Sequence, residues 1–384
     1  MEQQVVTKKK PLVRFGEFEL LKALAILGLP AVHVMEEAME GGFASPDLIH
    51  FGSGIIGLCV FGPSVFMICM GFGIGGGSAS PKIIRKNGIQ FLLIGALLNI
   101  VRWLIPGIIQ KIVIDTPLIE DIGFCLQSDI YYFVGFFFIL YSFFKQWKMS
   151  TPSILMVSVL MLTLNTVLMP ITHRLDHNLI LGSLLGNIVY VDETSCFPLL
   201  SWTIFPCVGV LLGEVLKKAT EERREFIMRR TLDFSVSLFV SFLVFLHDYE
   251  ISLMKTLVSP INDYITDLPN VILLLSLALL LISLTYYLCK LIGASKFMKF
   301  MIGMSTFIMP FYLLQWVIIA WIFYGMAIFR APVDCFNIPM YIGTVVVVTA
   351  VCIVITQKRG MRIMKTLLKI TSFKKKKKKK RAIA

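Results

Sequence analysis

Ten stretches of the chain are long and apolar enough to cross a lipid bilayer, and they constrain its fold more than any other feature. A transmembrane helix needs about 20 predominantly apolar residues. Only helices and closed barrels satisfy every backbone hydrogen bond in lipid, so stretches of this length predict an all-α, polytopic membrane bundle. The predicted spans are residues 16–37, 51–77, 88–106, 124–144, 152–170, 197–216, 231–247, 269–289, 300–329 and 338–356. The ninth is long enough to be tilted or broken.

The charges of the connecting segments predict the orientation of this bundle. Cytoplasmic loops of membrane proteins are enriched in Lys and Arg. Here the segments after even-numbered spans are basic, whereas those after odd-numbered spans are acidic or mixed. Residues 217–230 hold six Lys and Arg, and residues 36–47 hold four Asp and Glu. With ten helices and both termini in the cytoplasm, every basic loop lies on the cytoplasmic side and every acidic or mixed loop lies on the other side.

We therefore expect three regions along the chain. They are a basic cytoplasmic N-terminus over 1–15, a ten-helix membrane domain over 16–356 and a basic cytoplasmic tail over 357–384. The N-terminal segment has no small-residue cleavage site, so the first span is expected to be retained rather than removed as a signal peptide. The composition, 57% hydrophobic and 16% charged, predicts a multi-pass membrane protein, and we expect it to reside in the plasma membrane.

The last part of the tail is a run of eight cations from Lys374 to Arg381. Beside the last span, such a run can bind anionic cytoplasmic lipid, at about 1 kcal/mol per cation. A solvated tail that only strengthens retention in the membrane is the alternative. The sequence contains no nucleic-acid-binding motif and no clear internal repeat, so the bilayer is the partner that it indicates.

The first span carries ionisable residues along one face. Ionisable side chains at bilayer depth are costly and by default indicate a functional site. Lys22 and His33 are eleven residues apart, which on a helix places them on one face, about 16 Å apart along the axis. Glu19 lies one turn before Lys22, and these two side chains could form an ion pair that reaches the headgroups. His33 can act as a general base toward a hydroxyl or amine, or it can have a packing role alone.

The second span ends in a glycine-rich segment that is followed by cations. Gly71, Gly73 and Gly76 match G-x-G-x-x-G, but no strand precedes them, so a dinucleotide fold is excluded by context. The glycines either let two helices pack closely, or expose backbone that holds a phosphate-bearing cofactor together with Lys82 and Arg85.

Several polar residues are predicted to lie in the outer half of the bundle, at the depth of His33. Asp129 lies inside its span and is costly unless it is paired. Arg102 and His33 are its possible partners. The remaining members of this group are Asn99, Gln127, Ser201 and Trp202. Tyr312 and Gln315, one turn apart in the ninth span, and Asn165 in the fifth complete the polar inventory, and each alone could form only an interhelical hydrogen bond.

Metal ligation is not indicated. His173 and His177 are four residues apart, but no third ligand accompanies them, and catalytic zinc needs three. The eight Cys form neither CxxC nor another metal-binding spacing.

The first span resembles the signature of the membrane acyltransferase superfamily, which comprises acyltransferase family 3 and the heparan-α-glucosaminide N-acetyltransferase-like proteins. The family pattern is an acidic residue, two residues, an arginine, ten residues and a histidine. Glu19, Lys22 and His33 keep this spacing, with Glu in place of Asp and Lys in place of Arg. Looser similarities lie in residues 62–73, 197–213 and 303–315, where Gln315 stands at a position often held by histidine.

The resemblance implies transfer of an acyl group, expected to be acetyl, from cytoplasmic acyl-CoA to a hydroxyl or amino group of an extracytoplasmic saccharide or similar small molecule. His33 would be the general base or a transient acyl carrier, and Lys22 would contact the CoA. The catalytic candidates are His33, Glu19 and Asp129. The cofactor-binding candidates are Lys22, Arg14, Gly71, Gly73, Lys82 and Arg85, and the substrate-binding candidates are Arg102, Gln127, Trp202 and Gln315.

Two other functions stay open at this point. The same titratable residues, Glu19, His33 and Asp129, could relay protons in a transporter or flippase. The chain could also be a noncatalytic membrane protein of the acyltransferase fold, since Lys22 and Gln315 depart from the family pattern.

Overall fold

The computed structural model describes residues 15–59, 62–127, 129–175, 179–191, 195–248, 268–293 and 295–371. Within these ranges the chain is helical, and its only strand-like feature is a single β-bridge between Ala44 and Phe336. The helices are α1 (Gly16–Glu40), α2 (Pro46–Cys59), α3 (Gly62–Ile74), α4 (Pro81–Asn99), α5 (Ile105–Ile114), α6 (Ile119–Leu126), α7 (Ile130–Gln146), α8 (Thr151–Thr172), α9 (Leu179–Gly186), α10 (Leu199–Trp202), α11 (Ile204–Leu216), α12 (Glu221–Asp248), α13 (Leu268–Ile292), α14 (Lys296–Thr306), α15 (Ile308–Ile328) and α16 (Ile338–Ile370). A π-helical turn (Ile100–Leu104) joins α4 to α5, and a 3₁₀ turn (His173–Leu175) follows α8.

Eight helices of the described chain are long and apolar enough to cross a membrane. They are Gly16–Glu40, Pro81–Ile114, Asp121–Gln146, Thr151–Thr172, Leu199–Leu216, Leu268–Ile292, Ile308–Ile328 and Ile338–Ile370. The prediction of an all-α, polytopic membrane bundle is confirmed. The count of ten spans and the cytoplasmic termini stay predictions.

The two predicted spans that are missing from this set have a different form in the structure. Residues 51–77 are divided between α2 and the shorter apolar helix α3, and residues 231–247 lie within the longer helix α12. The ninth span, 300–329, is broken at Phe307 between α14 and α15, as its length suggested. Arg14 and the run Lys374–Arg381 lie outside the described residues.

Helix α1 occupies the centre of the bundle and packs against α2, α3, α13, α14, α15 and α16. Its N-terminal part lies in an aromatic core with α3, α7 and α11, to which Phe18, Phe137 and Phe205 contribute. Its C-terminal part lies in a second core with α14, α15 and α16, around Met301 and Ile319. The ionisable residues of α1 are therefore surrounded by other helices.

Glycines bring α3 and α11 into backbone contact. A Cβ on Gly71 would collide with the carbonyl of Pro206, and a Cβ on Gly209 would collide with the carbonyl of Ile68. Small residues at such positions are the usual means of close helix packing in lipid. Gly73 is different, because nothing lies within 4 Å of the position of its Cβ. The packing interpretation therefore accounts for Gly71, whereas it does not account for Gly73.

We expect Gly209→Ala to lower the thermal unfolding midpoint, measured in detergent. The added methyl group meets backbone rather than a mobile side chain, and overpacking of this kind costs about 1–3 kcal/mol. Gly73→Ala is the matched control on the same pair of helices, and its midpoint should stay at or above that of the wild type. Equal midpoints for the two variants would contradict the proposed contact between the α3 and α11 backbones.

Candidate active site

His33 is buried and is contacted from one face of α15. Its side chain is 6% exposed. The amide nitrogen Nε2 of Gln315 lies 3.1 Å from Nδ1, the ring of Trp316 stacks on the imidazole at 3.8 Å, and Tyr312 meets it edge-on at 6.0 Å. These three residues are spaced i, i+3 and i+4, so they lie side by side on the helix. Since Gln315 occupies Nδ1, Nε2 is the ring nitrogen left for a substrate.

Gln315 can set which imidazole nitrogen carries the proton. A glutamine amide offers both an oxygen acceptor and an NH₂ donor. When the amide oxygen accepts from Nδ1–H, Nε2 keeps its lone pair and is basic. When the NH₂ donates to Nδ1, the proton of a neutral ring is on Nε2 instead. The orientation of the Gln315 amide therefore determines whether Nε2 of His33 is basic.

A π-helical turn brings Arg102 to the same group of residues. The N–H of Ile105 bonds to the carbonyl of Ile100, five residues back. Pro106 explains this widening, because its ring would otherwise press on the carbonyl of residue 102 and it has no N–H to donate. Such π-helical turns are frequent at functional sites. The wider turn carries Arg102 into the bundle.

Arg102 lies over the indole ring of Trp316 and forms an ion pair with α1. Its guanidinium carbon is 3.2 Å from the ring centroid of Trp316, and its Nη2 donates to Glu37 Oε1 at 3.1 Å. His33 also lies within 4 Å of that centroid. Two groups this close to one ring cannot share a face, so Trp316 is held between the imidazole and the guanidinium, in a cation–π contact with the latter.

Asp129 is linked to this group through a tyrosine. Its Oδ2 accepts from the hydroxyl of Tyr312 at 3.0 Å, and its Oδ1 accepts from the backbone N–H of Tyr131 at 2.9 Å. The predicted direct partners, Arg102 and His33, do not form these bonds. Asp129 is the N-cap of α7, where a carboxylate is favoured by free backbone N–H groups and by the helix dipole. This position explains how the buried carboxylate is stabilised.

Gln127 and Trp202 lie in a neighbouring region. Gln127 Nε2 is 3.7 Å from the sulfur of Cys196, and Trp202 packs against the rings of Phe197 and Phe205. None of these contacts reaches His33. Their predicted role in acceptor binding stays a prediction.

Glu19 and Lys22 lie nearer the N-terminal end of α1. Lys22 Nζ is 3.0 Å from Glu19 Oε1, and the hydroxyl of Ser305 on α14 donates to the other carboxylate oxygen. The ion pair predicted from their spacing is confirmed. At 1.5 Å per residue, Lys22 and His33 are about 16 Å apart along α1, so the helix carries two polar groups at different depths.

Cations surround the loop after α3, which contains the glycine-rich segment. Lys217 donates to the carbonyls of Phe72, Gly73 and Gly75 at 2.6, 3.0 and 2.7 Å, and partial burial lowers its pKa. Lys145 donates to the carbonyls of Gly77 and Ala79. The sequence motif identified the glycines. It did not indicate that lysines from two distant segments bind the carbonyl groups of this loop.

A pocket of about 470 Å³ opens where this loop enters α4. Arg85 borders it and donates to Gln146 Oε1 at 2.7 Å, with its guanidinium over the ring of Phe143. Lys82 is the second cation at the pocket. The lining residues are Ser80, Pro81, Lys82, Arg85 and Gln146.

Three residues of the His33 site, Glu37, Tyr312 and Trp316, were not among the predicted site residues. Glu37 lies one turn after His33, Tyr312 lies one turn before Gln315, and Trp316 lies one turn after Tyr312. A spacing of three or four residues from a candidate residue, or from a neighbour of one, is the signal that could have found each of them.

Comparison with known proteins gives one match. A family model described as an acyltransferase domain matches residues 15–357, which include both polar groups of α1. No curated protein matches the chain, and no solved structure does.

We expect Arg102→Met to destabilise the protein strongly, by about 3–5 kcal/mol, because it leaves the buried carboxylate of Glu37 without a counterion. Glu37→Leu added to Arg102→Met should recover much of this loss, since the double variant buries no lone charge. Thermal unfolding in detergent measures both.

The matched control for this prediction is Lys111→Met. Lys111 forms an exposed ion pair with Asp115 farther along the same continuous helix, so its removal should leave the midpoint near the wild-type value. A double variant as unstable as Arg102→Met alone would show that the Glu37 ion pair is not the reason for the loss.

Proposed function

This chain belongs to acyltransferase family 3, and on that premise we propose that it moves an acyl group from cytoplasmic acyl-CoA to a hydroxyl or amino group on the opposite side of the membrane. The resemblance predicted from the first span is confirmed, and the protein is a membrane acyltransferase. We further propose that the group is acetyl, that the acceptor is a saccharide or similar molecule, and that the protein resides in the plasma membrane.

The observation that carries this proposal is the environment of His33. The imidazole is buried, one nitrogen is occupied by Gln315, and the ring is held by Trp316. A general base must be fixed within hydrogen-bond reach of the proton that it removes. An imidazole held through Nδ1 and through its ring face presents Nε2 in a fixed direction, which suits that role.

In the proposed reaction, Nε2 removes the proton of the acceptor hydroxyl or amine as its oxygen or nitrogen attacks the thioester carbonyl. The new carbonyl–oxygen or carbonyl–nitrogen bond forms and the carbon–sulfur bond breaks. The CoA thiolate leaves, and the imidazolium returns the proton to it. Gln315 supports the base once its amide has turned over, so that its oxygen instead of Nε2 faces the imidazole and accepts from Nδ1–H.

Cations near the loop after α3 are proposed to hold the donor. Lys82 and Arg85 line an open pocket, and charge-assisted hydrogen bonds to phosphate are among the strongest in proteins. Gly73 leaves room beside the loop for the approach of a ligand. Lys22 would then contact a part of the donor that lies between its phosphates and His33.

Residues beside His33 are proposed to receive the acceptor. Arg102 and Gln315 both lie at the imidazole group, and Asp129 orients Tyr312 toward it. Gln127 and Trp202, which do not contact His33 themselves, are also proposed to contact the acceptor.

We expect His33→Ala to lower acyl transfer by about 10²- to 10⁴-fold, the usual contribution of a general base. The measurement uses purified protein in vesicles with radiolabelled acetyl-CoA and a saccharide mixture, and follows label transfer and CoA release. Acetyl-CoA binding should persist, which separates a lost base from a lost fold.

His50→Ala is the matched control, because His50 is an exposed histidine on α2 and should keep wild-type turnover. Full CoA release by His33→Ala would show that His33 is not the base. If the wild type bound no acyl-CoA, the proposed donor would be wrong.

We expect Lys82→Gln to raise the KM for acyl-CoA about tenfold with little change in kcat, because a phosphate contact is lost in both the ground and transition states. Lys86→Gln removes an exposed cation one turn away that does not line the pocket, and it should leave KM unchanged. Steady-state kinetics over a range of acetyl-CoA concentrations provides the test, and equal KM values for the two variants would place the phosphates elsewhere.

A further inference from the structure

Helix α16 is longer than a membrane span. It contains 33 residues, Ile338–Ile370, and so extends about 50 Å, whereas the hydrocarbon core of a bilayer is about 30 Å thick. Its apolar part runs to Ile355, and its charged part begins at Lys358. Twenty residues separate Ile338 from Lys358, so the first cation comes about 30 Å along the helix, where a headgroup layer is expected.

The cations of this extension are aligned on one face. At 100° per residue, four of them fall within about 60° around the helix. All four are exposed, and α16 contains no Asp or Glu. We call this group the basic stripe, and its members are Lys358, Arg362, Lys365 and Lys369.

The apolar part of α16 continues the same face toward the other side of the membrane. Val347, Val351 and Val354 lie within about 60° of Lys358 around the helix, and they are 60%, 38% and 50% exposed. One uninterrupted face therefore offers exposed valines at hydrocarbon depth and cations at its end. A phospholipid matches this order of groups, because its acyl chains lie at hydrocarbon depth and its phosphate lies at the headgroup layer.

The face of α16 opposite the basic stripe packs against other helices. Gly360 is buried, and a Cβ there would lie 2.9 Å from the ring of Phe307. Leu367 packs in the core around α1, and the carbonyl of Leu368 accepts from Gln90 Nε2 at 3.5 Å. Since Gly360 and Leu367 lie about 180° from Lys358 around the helix, these contacts turn the stripe outward.

Three cations of the stripe have no carboxylate partner among the described residues. Over the described ranges of the chain, no ion pair involves Lys358, Arg362 or Lys365. Phosphate is the anion that Lys and Arg bind most often at a membrane surface, and each cation there contributes to the attraction of anionic lipid.

We propose that the basic stripe and the three valines form a binding site for an anionic phospholipid of the leaflet on the side predicted to be cytoplasmic. The phosphate lies among Lys358, Arg362 and Lys365, and an acyl chain lies along the valines. This site is separate from the His33 site, and none of its residues belongs to the run Lys374–Arg381. It does not depend on the proposed acyl donor or acceptor.

The test is native mass spectrometry of the purified full-length protein, exchanged in detergent with phosphatidylglycerol or phosphatidylcholine. The wild type should retain phosphatidylglycerol selectively. The triple variant K358Q/R362Q/K365Q should bind phosphatidylglycerol about a hundredfold more weakly, because each lost cation lowers the affinity about fivefold. Its thermal midpoint should be unchanged.

Two control variants separate the site from general charge attraction. K374Q/K375Q/K376Q removes the same charge from the tail and should keep most of the lipid affinity, and K358R/K365R keeps the charge and should bind as the wild type does. Equal loss in the stripe and tail variants would overturn the proposal, as would equal retention of the two lipids by the wild type.

Discussion

The polar side chains of α1 have to be satisfied by neighbouring helices, because the surrounding bilayer offers no hydrogen-bond partners. Each of four ionisable residues of this central helix meets a side chain from a different element. The pairs are Glu17 with Arg224 of α12, Glu19 with Ser305 of α14, His33 with Gln315 of α15 and Glu37 with Arg102 of the π-helical turn. The same contacts therefore fix the helices around α1 and assemble the site.

That requirement also explains how the residues of the site are held in position. A buried ion pair adds little net stability, but breaking it leaves an uncompensated charge at high cost. The Glu37–Arg102 pair therefore fixes α1 against the π-helical turn, and Arg102 in turn lies against Trp316. Since Trp316 also stacks on His33, the orientation of the imidazole depends on an ion pair that does not touch it.

The sequence predicts those features that depend on spacing along one helix. Eight of the ten apolar windows match helices that are long enough to cross a membrane, and the three-residue spacing of Glu19 and Lys22 predicted their ion pair. It could not predict the partner of Asp129, because Tyr312 is 183 residues away and their contact depends on how α7 and α15 meet in space. The two roles of the glycines were likewise indistinguishable, since only the position of α11 separates the packed Gly71 from the open Gly73.

Lysine in place of the family's arginine at position 22 has a consequence for the proposed donor site. An ammonium is a point charge with three donors and cannot grip phosphate bidentately. One direction is already taken by Glu19 at 3.0 Å, so a phosphate at Lys22 would have to compete with a fixed carboxylate. Lys82 and Arg85 border an open pocket without a carboxylate in its lining, so they would suit the phosphates of the proposed donor better. Lys22 would then be left for a neutral, polar part of that donor, between the phosphates and His33.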